Sequence, residues 1–312
     1  MLTRSLSTCC AISYQFCYPS VSIIDLFYAK SSSRQNNNVE NNLRESVLGN
    51  ILSYKKTDEQ FTNKIYGSKW LNVRNKWEQC LNKIYPYPYS KIKVTKKGGV
   101  GYNYDFEVIY QDKNGKSLCE KHVEFKHNSN SILKIPQFLC LTDKRADFMK
   151  DKYADYFYNN YLKEYMKVDQ DIFSILEIPK KKEYLRLIHN HKYTVHPMFH
   201  LFHERKHHYK DKKDFIVNES IKTYLEKYSH TINLGILSKM VMSRQYNKVF
   251  CLWDLKKFHI ETIEQEEIIS VEGMERGNSL IVNTPTRQYK LLFRWKNDNG
   301  VLNPAWEISL YK

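Results

Sequence analysis

The sequence predicts a mixed α/β protein, with a central mixed β-sheet, flanking helices, a large helical insertion and a β-rich C-terminal part. Three observations predict this fold class. Runs rich in Tyr, Phe and Val alternate in polarity between residues 91 and 127, as strands do. Apolar residues at helical spacing precede these runs and dominate from residue 145 to 244. Strand-like alternation returns at residue 248 and continues to the end.

Length and net charge limit the domain organisation and the class of partner. With 312 residues the chain can bury a sizeable core, in one large domain or a domain with an inserted subdomain. A formal net charge of +15 at pH 7 indicates a polyanionic partner. Nucleic acid is the first candidate, and an anionic membrane surface is the second. No apolar run reaches the roughly 20 residues that a membrane span needs, so the chain is not expected to cross a membrane.

The cysteines indicate an intracellular protein of undefined compartment. Their number is seven, an odd count, and no pair has the C-x-x-C spacing. This pattern disfavours a disulfide scaffold and a zinc ribbon. Residues 1–38 are assigned to a disordered or targeting N-terminus, since SSSRQNNN (residues 31–38) has no periodicity. An organelle transit peptide is the weaker alternative, because such a segment would contain more Arg.

The elements that follow come in a definite order. Residues 39–54 have the apolar spacing of an amphipathic helix, and residues 58–85 that of a second helix or a helix pair broken at Gly67. The sequence YPYPY (residues 85–89) must end this helix. KIKVTKK (residues 91–97) then alternates as a strand.

The central feature is a predicted β-hairpin. YNYDFEVIY (residues 102–110) and KHVEFKH (residues 121–127) favour strands, and Asn114-Gly115 is a strong hairpin turn signal. Side chains two apart in a strand share a face, so Glu124 and Lys126 project together while Phe125 points into a core. Asp105 on the partner strand is placed beside Glu124.

This convergence of two carboxylates and an amine has a chemical use. One or two carboxylates, with water and phosphate oxygens, are sufficient to hold Mg²⁺. A neighbouring ammonium can stabilise developing negative charge or position the attacking water. On an arbitrary strand, however, Glu and Lys at i and i+2 are more often a solvated face, and that interpretation predicts no chemistry.

The order Asp105, then Glu124-Phe125-Lys126, resembles the PD-(D/E)XK (restriction-endonuclease-like) nuclease superfamily. Asp105 and Glu124 are 19 positions apart, within the usual range of that family. Tyr104 stands where the family often has Pro, which weakens the match. Gln137, in a helix expected to open at Pro136, resembles a Gln that several branches carry after the Glu-x-Lys strand. The predicted helix, three strands and helix resemble the α-β-β-β-α-β core of the family.

The resemblance implies a metal-dependent endonuclease that hydrolyses the phosphodiester bonds of DNA, with RNA not excluded. Mg²⁺, or alternatively Mn²⁺, would be held by Asp105, Glu124 and the Phe125 carbonyl, with Glu45 of the first helix as a further acidic ligand. Lys126 would be the catalytic lysine, and Gln137 would support it or a nearby phosphate. A homodimer is left open. The alternative is a nucleic-acid-binding protein without catalysis, on a degenerate nuclease fold.

The remaining chain supplies the domain organisation. Residues 39–141 are predicted to form the nuclease core, residues 142–245 a helical insertion, and residues 246–312 a β-rich part. KVFCLWD (residues 248–254) is the expected fourth core strand. The strands after it would complete the core sheet or form a small lobe.

The insertion holds a histidine cluster. Seven of the eleven histidines lie within His189–His208, and His196, His200, His203 and His207 have the spacing of one helical face. Two interpretations stay open: a zinc site, and a basic face that binds nucleic acid.

Overall fold

The computed structural model describes residues 23–30, 34–98, 102–175, 177–190, 193–275, 277–296 and 302–311. The helices are α1 (Arg34–Asn50), α2 (Glu59–Thr62), α3 (Gly67–Ile84), α4 (Tyr153–Asn160), α5 (Leu162–Lys167), α6 (Gln170–Ile175), α7 (Lys181–Leu187), α8 (Pro197–Glu204), α9 (Lys210–Tyr228) and α10 (Leu234–Met242). The strands are β1 (Lys91–Lys96), β2 (Phe106–Gln111), β3 (Ser117–His127), β4 (Leu139–Thr142), β5 (Lys248–Trp253), β6 (Phe258–Glu261), β7 (Ser270–Glu275), β8 (Ser279–Asn283), β9 (Gln288–Trp295) and β10 (Pro304–Leu310). The chain forms two compact units, residues 1–75 and 76–312, and α3 crosses from one to the other.

The first unit is helical. The predicted break at Gly67 is confirmed, since α2 ends at Thr62 and α3 begins at Gly67. The Phe61 ring packs edge-on against the Trp70 ring, with 6.2 Å between their centroids. A Cβ at Gly67 would lie 2.2 Å from the Phe61 carbonyl oxygen. Only glycine therefore lets the two helices approach this closely.

The boundary predicted for the N-terminus is wrong where it can be examined. Residues 1–22 lie outside the described residues. A 3₁₀ turn at Ile23–Phe27 buries Ile24 and Phe27, and α1 begins at Arg34 rather than at residue 39. The buried Arg44 side chain donates to the Leu26 carbonyl at 2.9 Å, which ties the turn to α1. A run of Gln and Asn is polar but does not prevent a helix, so polarity alone misplaced the boundary.

The second unit is built on a five-stranded mixed sheet, in the order β1-β2-β3-β5-β6. The predicted hairpin is confirmed as the antiparallel pair β2–β3, although its first strand begins at Phe106 rather than Tyr102. Gly115 takes a positive φ of 79° in the turn. β5 lies beside the hairpin, as predicted, and pairs with β3 in parallel, and β6 is antiparallel to β5. The predicted fold class, a mixed α/β protein with a central mixed sheet, is confirmed.

The back of this sheet is apolar and packs on the C-terminal part of α3. The buried Trp77 ring lies 5.8 Å from Phe106 and 5.2 Å from Phe258, between ring centroids. The Tyr110 hydroxyl donates to the Leu81 carbonyl at 2.7 Å. Alternation along β2 and β3 thus sends one set of side chains into this core and the other set to the opposite face.

A second sheet is antiparallel throughout its described strands, in the order β4-β10-β9-β8-β7. Two of the C-terminal strands, β5 and β6, complete the first sheet, whereas β7 to β10 belong to the second. The helix predicted to open at Pro136 is wrong. Ser131 caps a single 3₁₀ turn at Ile132–Lys134, Ile135 is extended as a residue before proline prefers, and β4 follows.

The segment predicted as a helical insertion is largely helical, since α4 to α10 lie between β4 and β5. Its apolar faces share a core with the second sheet. Tyr153 at the centre of that core packs against Phe293 and Trp295 and hydrogen-bonds Ser220 at 2.6 Å. Among the described helices, none is long and apolar enough to cross a membrane.

The Gly67 contact predicts a selective loss of stability. Gly67→Ala should lower the free energy of unfolding by about 1–3 kcal/mol, the usual range for overpacking, because the Phe61 backbone must move. Gly235→Ala is the matched control, since its Cβ would lie 3.5 Å from the nearest atom at an early position of α10. Urea unfolding monitored by circular dichroism compares the two. Equal stabilities would contradict the steric explanation.

Candidate active site

The candidate site lies where the hairpin meets β5. Within the first sheet, Phe106 pairs with Val123, which places Asp105 beside Glu124. On the other side of β3, Glu124 pairs with Phe250 of β5. Residues paired across a ladder share a face, so the predicted convergence of Asp105, Glu124 and Lys126 on one face is confirmed.

Asp105 is held in place by the strand beside it. Its backbone N–H donates to the Val123 carbonyl at 2.9 Å, and its Oδ2 accepts a hydrogen bond from the Phe125 N–H at 2.8 Å. In a strand the N–H and C=O of one residue face the same neighbour. The Phe125 carbonyl therefore faces the Asp105 side of β3, while the Phe125 side chain is buried on the opposite face of the sheet.

Glu124 is the most buried acid of the site, with 6% of its surface exposed. Its Oε1 lies 2.5 Å from Lys126 Nζ, and its Oε2 forms an ion pair with Lys248 Nζ. A buried carboxylate is tolerated when it is paired with cations. Glu124 thus has one ammonium partner on its own strand and one on β5.

Lys248 was not predicted as a site residue. Its side chain is almost fully buried, and Nζ lies 3.4 Å from the Phe138 carbonyl oxygen and 5.0 Å from the centre of the Phe250 ring. Burial lowers the pKa of Lys248, and the Glu124 carboxylate opposes that shift. One sequence signal could have found it. Lys248 shares a strand face with Phe250 and Leu252, and it is the one charged residue in the otherwise apolar strand KVFCLW.

A cavity of about 490 Å³ opens in front of these groups. Asp105 and Glu124 line it together with Phe138 and with Tyr102 and Tyr104 of the segment before β2. The Tyr104 ring stacks on His122 with centroids 4.1 Å apart. The volume lies within the range of small-ligand sites, roughly 300–1,000 Å³.

Two arginines also line the cavity, and both were missed. Arg145 ends the 3₁₀ turn Asp143–Arg145 after β4, and Arg244 lies in the turn Ser243–Gln245 before β5. They stand at the two ends of the predicted insertion. Because the ends of an insertion must return to the core that carries them, their position in the chain was the available signal.

The structure does not place Gln137 as the resemblance implies. Gln137 lies in a loop before β4 instead of on a helix, and its amide nitrogen donates to the Glu307 carboxylate oxygens at 2.6 and 2.9 Å. Glu307 is buried on β10 and also pairs with Arg294 at 2.7 Å. Glu45 lies on α1, in the first unit. Its role as a metal ligand stays a prediction.

The histidine cluster does not form one helical face, because α8 ends at Glu204. His196 caps that helix by accepting from the Met198 N–H at 3.2 Å, and His203 stacks on Tyr193 with centroids 3.7 Å apart. His207 follows in a turn. Within the described part of the chain, no group of three or more His, Cys, Asp and Glu side chains could hold a metal ion.

The candidate site can be tested for its fit to Mg²⁺ by its donor atoms. Asp105 and Glu124 offer carboxylate oxygens on one face, and the Phe125 carbonyl faces the same side as Asp105. Hard oxygen donors of this kind suit Mg²⁺ and Mn²⁺. The residues therefore fit the metal that the resemblance implies.

Comparisons with protein-family models, with curated proteins and with solved structures find no significant match to this chain.

The ion pairs of Glu124 predict a coupled effect on stability. Lys248→Met should lower the free energy of unfolding by about 2–4 kcal/mol, because a buried carboxylate loses a partner. Adding Glu124→Gln should restore at least about 1 kcal/mol, since the uncompensated charge is then gone. Urea unfolding of the wild type, both single variants and the double variant measures this coupling.

Lys93→Met, at an exposed position of β1, is the control and should change stability by less than about 0.5 kcal/mol. Additive effects of the Lys248 and Glu124 substitutions would contradict the ion pair.

His189 predicts how stability varies with pH. Burial, with the charges of Lys144 and Lys152, lowers the pKa of His189 from 6.5 to about 4. Between these values the unfolded chain binds a proton that the folded protein does not, so stability falls as pH decreases from 6.5 towards 4. In His189→Gln this contribution is absent. The urea midpoint should therefore fall more between pH 7 and pH 5 in the wild type than in the variant. An equal fall in both proteins would show that the lowered pKa of His189 does not cause the pH dependence.

Proposed function

We propose that this protein is a Mg²⁺-dependent nuclease of the PD-(D/E)XK type that hydrolyses phosphodiester bonds of DNA. One observation carries the proposal: Asp105, Glu124 and Lys126 share one sheet face, Asp105 and Glu124 line a cavity there, and the Phe125 carbonyl faces the Asp105 side of β3. The net charge of +15 supports a polyanionic substrate.

The strand order supports the same assignment. A helix precedes three antiparallel strands, and the next strand of the sheet, β5, runs parallel to β3. This is the order that the resemblance to the α-β-β-β-α-β core implies. The chain departs from that pattern in the long segment between β3 and β5, which holds β4 and the helices of the insertion.

Each site residue has a distinct role in the proposed reaction. Asp105 and Glu124 would hold Mg²⁺ with the Phe125 carbonyl; the bound metal would polarise the scissile phosphate and lower the pKa of a water molecule. Lys126, half-exposed beside Glu124, would position the attacking water or stabilise negative charge on the phosphate. Lys248 would hold the Glu124 side chain in place inside the sheet through their buried ion pair.

A second candidate function is nucleic-acid binding without catalysis. The observation that favours it is the charge balance around Glu124, whose two oxygens are both paired with lysines. A carboxylate compensated in this way is stable without a metal ion. In that case binding of nucleic acid would not depend on Mg²⁺.

Cleavage assays separate the two functions. Supercoiled plasmid, linear duplex and single-stranded oligonucleotides are incubated with the protein in Mg²⁺, Mn²⁺ or EDTA. We expect metal-dependent cleavage by the wild type and a loss of roughly 10²-fold or more in Asp105→Asn and Lys126→Ala, the usual size of such contributions. Binding in EDTA should change little.

Glu120→Gln and Lys113→Ala are matched controls for charge, because both residues are exposed and lie toward the turn end of the hairpin. They should cleave as the wild type does. If Asp105→Asn and Lys126→Ala also cleave as the wild type does, the active-site assignment is wrong. Metal-independent binding without cleavage by any form would favour the second function.

A further inference from the structure

We propose that Arg145 and Arg244 form a phosphate-binding subsite that holds a nucleic-acid strand at the phosphodiester next to the reacting one. The inference rests on the proposed function for the position of the reacting group. The binding of the strand by the two arginines can be measured without any cleavage.

Both arginines lie on anchored backbone. The buried Asp143 carboxylate accepts hydrogen bonds from the N–H groups of Tyr153 and Ala154 at 3.2 and 3.0 Å, which holds the turn that ends at Arg145. The Asn103 amide donates to the Arg244 carbonyl at 2.6 Å, which ties the second turn to the cavity rim. The two guanidinium groups thus start from fixed positions at the same cavity.

The two guanidinium groups place positive charge at the cavity. Among the described residues, neither guanidinium forms an ion pair with a carboxylate. Arg244 is half-buried, and burial lowers its pKa, as does the charge of Arg145, which lines the same cavity. The acids of the cavity are engaged elsewhere, Asp105 with the Phe125 N–H and Glu124 with its lysines. Two like charges in a concave site are unfavourable until an anion joins them.

A phosphodiester is the anion that fits this arrangement. The planar fork of a guanidinium group donates two parallel hydrogen bonds to phosphate oxygens. The same cavity carries the proposed Mg²⁺ ligands, so a phosphate on the arginines belongs to the strand whose neighbouring phosphate reaches Asp105. Tyr102, which lines the rim and has 48% of its surface exposed, presents a ring on which a base of that strand can stack.

The test measures equilibrium binding of fluorescent single-stranded and duplex oligonucleotides by anisotropy in EDTA, where no cleavage occurs. Arg145→Gln and Arg244→Gln should each weaken binding about 5- to 20-fold at low salt. The slope of log K against log salt should fall by roughly 0.7 for single strands, or 0.9 for duplex, for each phosphate that is no longer neutralised by an arginine. Arg145→Lys keeps the charge but not the fork, and should fall between the wild type and Arg145→Gln.

The matched control is Lys113→Gln with Lys116→Gln, in the hairpin turn. β2 spans six residues from Phe106 to Gln111, which puts this turn about 20 Å from Asp105 at the rise of a strand. The proposal is overturned if the arginine variants, folded by circular dichroism, bind as the control does. It is also overturned if inorganic phosphate binds as tightly as the oligonucleotides.

These outcomes are independent of catalysis. Weakened binding by the arginine variants in a protein that never cleaves would support the subsite and remove the nuclease assignment. Normal cleavage with unchanged binding in both variants would support the nuclease assignment and remove the subsite.

Discussion

The pairing of Glu124 with two lysines is the interaction on which the site depends. A carboxylate buried to this degree needs cationic partners, and one of them comes from β5, 124 positions further along the chain. The ion pair with Lys248 lies where β3 and β5 run in parallel. The pairing of β3 with β5 therefore also brings Glu124 its buried cationic partner.

That arrangement also determines where the insertion must begin and end. Everything between β3 and β5 has to leave the sheet and return to it beside Glu124. Arg145 and Arg244, near the two ends of the helical segment, consequently line the same cavity. β4, which comes before the insertion, joins β10 in the second sheet, so the helices are anchored to a core of their own.

The two faces of the hairpin have different roles: one packs into the apolar core, and the other carries the acids of the cavity. On one face Phe106 and Phe125 pack among aromatic rings, including Trp77 and Phe258. On the other face Asp105 and Glu124 line the cavity. Because alternation in a strand is strict, the apolar packing on the back holds the acids at the front in register. A one-residue slip would exchange the two sets.

The amino-acid sequence by itself determined the local features of this protein. The Asn-Gly turn, the alternation of β2 and β3 and the shared face of Glu124 and Lys126 follow from interactions between near neighbours in the chain, so they could be predicted. The helix expected at Pro136 was wrong, because β4 is stabilised by hydrogen bonds to β10, which lies more than 160 positions away. Tertiary structure alone decided that Lys248 pairs with Glu124 and that Arg145 and Arg244 line the same cavity. These contacts join residues far apart in the chain, and no local periodicity records such a pairing.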